Sequence, residues 1–313
     1  MSPELFLDPQ LLRLTVAVAA PFIVAALGEL LMERAGILNV GIEGVMAVGA
    51  AVGFLGTWAT GGSYLVGLLA AMLAGAALCL VLAYYGITLR GQQITVGLGL
   101  LVFGLGLASL LYRAVVGVQL AAPRVDVLPP APIPGLADLP VVGTVLFSQD
   151  VLVYVAFLLV PVLQVLLFST PLGLRWRACG ENPRAADTVG VNVVALRYAA
   201  TLLGGLLIGL AGAYLPLTIT GGYSDNMVGG RGWIALMLVI LGRWLPWLVI
   251  LGALLFAYVE ALQFRVALVT RAVPPQLLLA LPYLLAIGVL VRVYRGAQAP
   301  AALALPYDRE ARE

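Results

Sequence analysis

The segment 64-YLVGLLAAMLAGAALCLVLAYYG-86 contains no charged side chain. A helix rises about 1.5 Å per residue, so about 20 apolar residues cross the hydrocarbon core of a bilayer. Comparable runs lie near residues 11–31, 37–58, 94–115, 150–169, 199–220 and 276–294. Two less regular stretches, 231–244 and 247–263, flank Pro246. We therefore predict an all-α, polytopic transmembrane helix bundle of about nine spans, with an error of one or two, forming one domain over residues 1–313.

The composition agrees with a membrane protein and excludes several kinds of chemistry. The 313 residues are 62% hydrophobic and 10% charged, whereas a soluble domain has about 25% charged residues. Lysine and histidine are both absent. A P-loop ATPase needs its lysine to reach the terminal phosphates, so energy from ATP must come from another polypeptide. Without histidine, the chain lacks imidazole metal ligands and the usual proton shuttle.

No group of residues has the spacing of a catalytic dyad, a metal site or a nucleophile with its base. We therefore expect no catalytic residue, no metal and no cofactor. The net charge of +2 without a basic tail gives no indication of nucleic acid as a partner.

The arginines predict the orientation, because short cytoplasmic loops are rich in basic residues. One cluster after the fifth span contains Arg175, Arg177, Arg184 and Arg197. A second cluster, after the last span, contains Arg292, Arg295, Arg309 and Arg312. We expect a cytoplasmic loop at residues 170–198, here called the polar loop, and a cytoplasmic C-terminus. The N-terminus and the Pro-rich loop 117–147 then lie outside. Arg265 and Arg271 fall on the outer side and argue for a re-entrant late span, but most arginines favour this orientation.

The polar loop has the pattern of a short independent helix. Asn182 is a good N-cap, Pro183 suits the first helical position and Gly190 provides a stop after about two turns. Such a helix is too short to be stable alone in water, so a surface must hold it. It is either a connector on the membrane face or a docking helix for a cytoplasmic partner. The docking contact would consist of charged Glu181, Arg184 and Asp187 with a small face of Ala185 and Ala186.

Polar residues at membrane depth are costly and tend to face cavities or partners. Asn39 and Glu43 are four residues apart, so on a helix they share a face with Gly36 near the inner boundary. They line a path or cap a broken helix, or else Glu43 is an interfacial side chain that reaches water. Glu29 and Glu33 lie at the inner end of the first span. This position favours side chains that are solvated at the membrane interface.

Gln92, Gln93 and Thr95 open the fourth span. Their polar groups bind either a transported molecule or a neighbouring backbone, and the structural role is slightly favoured. With Asn39 and Glu43 they are our candidates for lining a translocation path.

The segment 221-GGYSDNMVGG-230 is the candidate outer mouth. Its candidate residues are Tyr223, Asp225, Asn226 and Arg231, and we expect Arg231 to pair with Asp225. Glu260 lies in an apolar run near Gln263 and Arg265, which favours a structural ion pair. Glycines in 49-GAAVG-53, 205-GLLIG-209 and 97-GLGLLVFGLG-106 predict close helix contacts in a compact bundle.

The run 178-ACGENPRAADTVGVNV-193 resembles the cytoplasmic coupling segment of ABC-importer permeases of the branched-chain amino acid, sugar and nucleoside superfamily. The shared pattern is Gly-x-Asn-Pro-x-Ala-Ala followed by Gly. Similar signatures occur in 33-ERAGILNVGIEGVMAVGA-50, 90-RGQQITVGLGLLVFGLGLASLLYR-113 and 229-GGRGWIALMLVILGRWLP-246. The residues of these segments resemble the nucleoside-type branch more than the ribose-type branch. The first-half signature of the ribose-type branch has an Asp-Leu-Ser element that is missing here.

The resemblance implies a non-enzymatic permease subunit in the cell membrane that imports a nucleoside. Residues 181–187 would couple it to a cytoplasmic ATP-binding cassette subunit. It also implies a second permease, a related but different chain, and an external substrate-binding lipoprotein. A sugar or a branched-chain amino acid is the alternative substrate. From another class, an ion-coupled secondary transporter would use buried carboxylates such as Glu43 and Glu260.

Overall fold

The computed structural model describes residues 8–117, 122–269, 275–293 and 298–309. This part of the chain is helical and contains no β-strand, which confirms the predicted all-α class. The helices are α1 (Pro9–Arg34), α2 (Ile42–Ala59), α3 (Tyr64–Ala83), α4 (Gln93–Val116), α5 (Val142–Leu146), α6 (Val151–Ser169), α7 (Pro171–Glu181), α8 (Pro183–Thr188), α9 (Val193–Tyr214), α10 (Arg231–Leu241), α11 (Pro246–Val269) and α12 (Pro275–Val293). Helices α3 and α9 continue as π-helical turns, Tyr84–Thr88 and Leu215–Thr220.

Seven helical segments in the described ranges are long and apolar enough to cross a membrane, and they belong to α1, α2, α3, α4, α6, α9 and α11. Helix α10 and part of α12 are shorter apolar helices. The seven long helices and these two shorter ones are consistent with the prediction of about nine spans. Helix α10 has 11 residues and is therefore about 16 Å long, roughly half of a bilayer core. Non-helical residues 221–230 precede it, so this crossing is broken.

Contacts between chain segments define two ends of the bundle. On the end that carries the polar loop, the loop side, Arg34 Nη2 donates to the Trp244 carbonyl at 2.8 Å. On the opposite end, the distal side, the Arg265 guanidinium pairs with Asp8. The backbone N–H of Gln10 and this guanidinium lower the pKa of Asp8. Arg265 thus lies at the end opposite the polar loop with a partner of opposite charge, and the re-entrant late span stays a prediction. Arg271 lies outside the described residues.

Helix α1 lies at the centre of the bundle. It packs against α9, α11, α10 and α6, while α2 packs against α3, α4 and α9. Most of the α1 surface is buried by these neighbours, including Phe22 and Leu27. Helix association inside a membrane depends on close packing more than on the hydrophobic effect, since lipid is itself apolar.

Glycines provide the closest helix contacts. A Cβ atom on Gly49 would lie 2.3 Å from the Gly209 carbonyl oxygen, and one on Gly75 would lie 2.3 Å from that of Gly205. Gly104 meets Gly44 in the same way, at 2.6 Å. The expected compact packing is confirmed at these positions. Two glycines of the segment 97–106, Gly99 and Gly106, face open space and make no such contact.

Candidate functional site

The polar loop contains two helices rather than the one predicted. Helix α7 begins at Pro171 and is capped by Thr170, whose hydroxyl accepts from the Gly173 N–H at 3.0 Å. Trp176 anchors α7 to the bundle, because its indole N–H donates to the Leu31 carbonyl at 2.8 Å. The Thr-Pro pair at residues 170–171 is a helix-start signal that could have predicted α7.

Helix α8 has the predicted local structure. The Asn182 side chain accepts from the Ala185 N–H at 3.0 Å, and Pro183 is the first helical residue. Gly190 follows the helix with φ of 84°, a conformation that favours glycine. The helix has six residues, slightly fewer than expected.

A small apolar cluster holds α8 against the bundle, as its short length requires. Ala186 is buried with Cys179 and Val193, and Tyr307 packs against them. Burial raises the pKa of the Cys179 thiol to about 11, so this cysteine is a packing residue rather than a reactive one. Ala185 is exposed. The predicted contact face of Ala185 and Ala186 is therefore wrong in part, because Ala186 faces inward.

The C-terminal segment, residues 298–309, lies across the polar loop. The Ala302 N–H donates to the Gly180 carbonyl at 2.8 Å, and the Ala301 N–H donates to Glu181 Oε2 at 3.2 Å. Arg309 pairs with Asp187 at 2.9 Å. This segment and the polar loop thus lie on the same side of the bundle. The described residues do not include Arg295 or Arg312. The side chain of Arg292 is also not described.

Of the first arginine cluster, Arg197 does not belong to the surface. Its side chain is 1% exposed, with Nε donating to the Ala35 carbonyl at 3.1 Å and Nη1 to the Leu305 carbonyl at 3.0 Å. Arg197 therefore ties the end of α1 and the C-terminal segment to the start of α9. Arg184, by contrast, is exposed on α8.

The expected solvation of Glu29 and Glu33 is wrong, because both carboxylates are buried. Glu29 Oε1 accepts from the Asn39 N–H at 2.8 Å, and Glu33 Oε2 accepts from the Trp244 indole N–H. Asn39 lies in the non-helical segment between α1 and α2, and Trp244 follows the end of α10. The Trp244 partner is distant in sequence, and neither contact can be predicted from the residues next to the glutamates. The two glutamates help hold α1 to its neighbours.

A non-helical segment, residues 35–41, separates α1 from α2 and is here called the first break. Asn39 lies in it, so the expected helix face shared by Asn39 and Glu43 does not exist. The Asn39 side chain accepts from the Gly41 N–H at 3.0 Å, and Gln93 accepts from the Leu38 N–H at 2.8 Å. Non-helical backbone at membrane depth needs such partners.

Glu43 connects the start of α2 to the start of α10. Its two carboxylate oxygens accept from the Gly230 and Gly232 N–H groups, each at 2.7 Å. These N–H groups belong to the first turn of α10, where the helix dipole favours a negative charge. Residues 221–230, the second break, are thereby joined to α2. Glu43 thus caps the start of the broken helix α10, which is one of the three roles that its position in the sequence allows.

The remaining path candidates lie at the edge of α4. Gln92 precedes the helix, and its side-chain oxygen accepts from the Thr95 hydroxyl at 2.8 Å. Both residues are exposed. The structure thus brings Asn39 and Gln93 together at the first break and places Glu43 at the second, while Gln92 and Thr95 lie apart from both.

The candidate outer mouth divides into two parts. Asp225 pairs with Arg113 at 2.9 Å, and this contact lowers the pKa of Asp225. Arg231 pairs with Glu260 instead, so the predicted Arg231–Asp225 pair is wrong. The predicted ion pair of Glu260 is confirmed, with a partner from another helix.

The other two residues of the candidate outer mouth, Tyr223 and Asn226, lie close to Asp225 in the sequence. The Tyr223 ring is buried and its centroid lies 4.7 Å from that of Tyr112. Asn226 has a positive φ of 60° in the turn that follows. The described ranges contain no group of three or more Cys, Asp or Glu side chains that could hold a metal ion.

The described residues thus form a bundle of candidate membrane-spanning helices with a polar loop whose two short helices are capped. The family described as branched-chain amino acid transport system / permease component matches residues 11–290, and the chain belongs to this family.

Three curated relatives cover nearly the whole chain. A Haloferax volcanii protein, TsgC13, provisionally named a glucose ABC transporter permease, is 37% identical over 96% of this chain and 98% of its own. The guanosine ABC transporter permease NupQ of Bacillus subtilis is 34% identical over 94% of each chain. The nucleoside ABC transporter permease NupC of Lactococcus lactis is 33% identical, over 92% of this chain and 93% of its own.

A solved structure shares the fold. It is an inward-facing ABC transporter provisionally assigned to the metal-chelate type. The match has a TM-score of 0.51 and 19% identity, and it covers 92% of this chain and 88% of that one. The protein is therefore a multi-pass ABC transporter permease.

Proposed function

We propose that this permease carries nucleosides into the cell in their uncharged form. The observation that carries the proposal is the pair of relatives named for guanosine and nucleosides, each matching more than nine-tenths of both chains. The signature segments support the same branch. The spans contain no cluster of arginines that could neutralise a phosphate, so a nucleotide would cross with unpaired charge at a cost of several kcal/mol.

The transporter would contain three further components. A cytoplasmic ATP-binding cassette subunit would bind the exposed face of the polar loop, formed by Glu181, Arg184 and Ala185. A second permease, related but different, would complete the path, and an external lipoprotein would deliver the substrate. The absence of lysine supports the placement of ATP hydrolysis on another subunit, so this chain itself would not be an enzyme.

The proposed orientation places the loop side in the cytoplasm of a cell or inner membrane. Arginines at positions 175, 177, 184 and 309 lie on this side, in accordance with the positive-inside rule. Residues 170–198 and the C-terminus would then be cytoplasmic, and the Pro-rich loop 117–147 would be external. The substrate path would include the region of the two breaks, with Asn39, Glu43 and Gln93 as supports.

A sugar is the second candidate substrate, favoured by the 37% identity to the glucose-named relative. Branched-chain amino acids occur in the description of the family. An ion-coupled secondary transporter is not supported, since Glu43 and Glu260 are bound by internal partners and the relatives are ABC permeases.

Competition during uptake tests the substrate. In proteoliposomes with the complete transporter, excess unlabelled guanosine or adenosine should suppress uptake of a labelled nucleoside, whereas glucose, ribose and leucine should not. Competition by glucose or leucine alone would show that the branch is wrong although the family is right.

A further inference from the structure

A polar pocket lies between the first turn of α10 and helices α11 and α12. The cavity measures about 170 Å³. Its polar and aromatic groups come from Arg231, Glu260, Gln263, Phe264 and Tyr283. The sequence around Phe264 and Tyr283 does not mark them as binding residues, because aromatic residues are common in apolar helices.

The pocket lies at membrane depth. Glu260 is nine residues from the end of α11 at Val269, which places it about 13 Å along the helix from that end. Arg231 follows Gly230, whose N–H is bound by Glu43 inside the bundle. Ionisable groups at such depth usually face a water-filled path or a partner, because lipid cannot solvate them.

The charges in the pocket compensate each other. Arg231 Nη2 pairs with Glu260 Oε1, and Arg231 Nη1 also donates to the Val228 carbonyl at 3.0 Å. The Nε atom of Arg231 is buried and has no hydrogen-bond partner. The ion pair has no net charge, so it gives no preference for an anion, and its polar atoms suit an uncharged ligand with hydroxyl groups.

Aromatic rings form the rim. Glu260, Gln263 and Phe264 lie on one face of α11, since they are spaced by three and four residues. Gln263 is buried at the floor, while Phe264 is 49% exposed. Tyr283 of α12 is 51% exposed on the other wall, and its hydroxyl donates to the Gly229 carbonyl at 3.4 Å.

We propose that this pocket binds a nucleoside during translocation, an inference that rests on the function proposed above. Phe264 and Tyr283 would contact the faces of the base, since aromatic side chains stack on any base. The Gln263 amide, which both donates and accepts, would bind the polar edge of the base. The Arg231–Glu260 pair would meet the ribose hydroxyls.

Cysteine accessibility tests the pocket directly. The native cysteines, Cys79 and Cys179, are both buried, so an introduced thiol can be labelled selectively. We expect a water-soluble thiol reagent to modify Phe264→Cys in proteoliposomes that hold the complete transporter, during ATP-driven uptake. Bound ligand slows labelling by a factor of 1 + [L]/Kd, so guanosine at about four times the Kd measured for this variant, which lacks the Phe264 ring, should slow it about fivefold. Glucose should not slow it.

Phe103→Cys is the matched control, because Phe103 is similarly exposed, at 56% against 49% for Phe264, but lies on α4 and does not line the pocket. Guanosine should not change its labelling. If Phe264→Cys fails to fold, Tyr283→Cys tests the opposite wall in the same way.

The outcomes separate the pocket from the proposed function. Import of guanosine without protection of the pocket thiol, or with equal protection of Phe103→Cys, would overturn the pocket while the function stands. Import of glucose instead of guanosine, with protection of the pocket thiol by glucose, would overturn two claims. These are the proposed import of nucleosides and the binding of a nucleoside in this pocket.

Discussion

The polar loop and the buried breaks are both rich in polar groups, but different partners hold them. In the loop, Thr170 and Asn182 cap their helices through N–H groups three residues away. At the second break, Glu43 binds N–H groups 187 and 189 residues away. Water can replace a partner in the loop but not inside the membrane. Substitutions at the breaks should therefore destabilise the fold, whereas substitutions in the loop should affect coupling.

The largest effect should come from Glu43→Leu. It leaves the Gly230 and Gly232 N–H groups unpaired, and each buried unpaired group costs about 1–3 kcal/mol. We expect a marked fall in the melting temperature of the detergent-solubilised protein. Glu181→Leu is the control, since Glu181 is exposed on the polar loop and its loss should lower the melting temperature much less. Equal melting of the two variants would contradict the contrast.

Arg197→Met should have the next largest effect, since Arg197 connects the first break to the C-terminal segment. The variant loses hydrogen bonds to the Ala35 and Leu305 carbonyls, but it also removes a buried charge. We expect a net loss of about 1–3 kcal/mol and faster proteolysis within residues 298–309. Exposed Arg184→Met is the control. Unchanged proteolysis would show that Arg197 does not hold the segment.

Asn182→Ala should destabilise only α8. Loss of an N-cap costs about 1 kcal/mol, and the cluster around Ala186 remains. Hydrogen exchange of the amides in residues 183–188 should quicken while the spans stay protected. Asn182→Asp keeps the capping oxygen and should exchange like the wild type. The local cap is unimportant if the Ala and Asp variants exchange at the same rate.

The smallest effect on stability should come from Ala185→Trp, because Ala185 is exposed. A surface change usually alters stability by less than about 0.5 kcal/mol. Uptake by the complete transporter should nevertheless fall, since the indole would obstruct binding of the ATPase. Ala186→Trp, directed into the buried cluster, should instead disrupt α8 itself. Normal uptake by a well-expressed Ala185→Trp protein would count against docking at α8.

The spans, the caps of α8 and the family could all be predicted from the amino-acid sequence. Hydrophobic length and capping depend on neighbours in the chain, so runs such as residues 64–86 and the pair Asn182-Pro183 predicted structure that is present. The helix start at Thr170-Pro171 was equally local and could have been predicted.

Which polar groups are buried, and what they bind, depends on how the helices pack. The spacing of Glu29 and Glu33 is the same whether the two side chains are solvated or buried. In the structure they are buried, and they accept hydrogen bonds from Asn39 and Trp244. Arg231 pairs with Glu260 of another helix rather than with nearby Asp225. Inside a membrane each polar group must find its partner within the protein, and that partner depends on how the helices assemble rather than on the adjacent sequence.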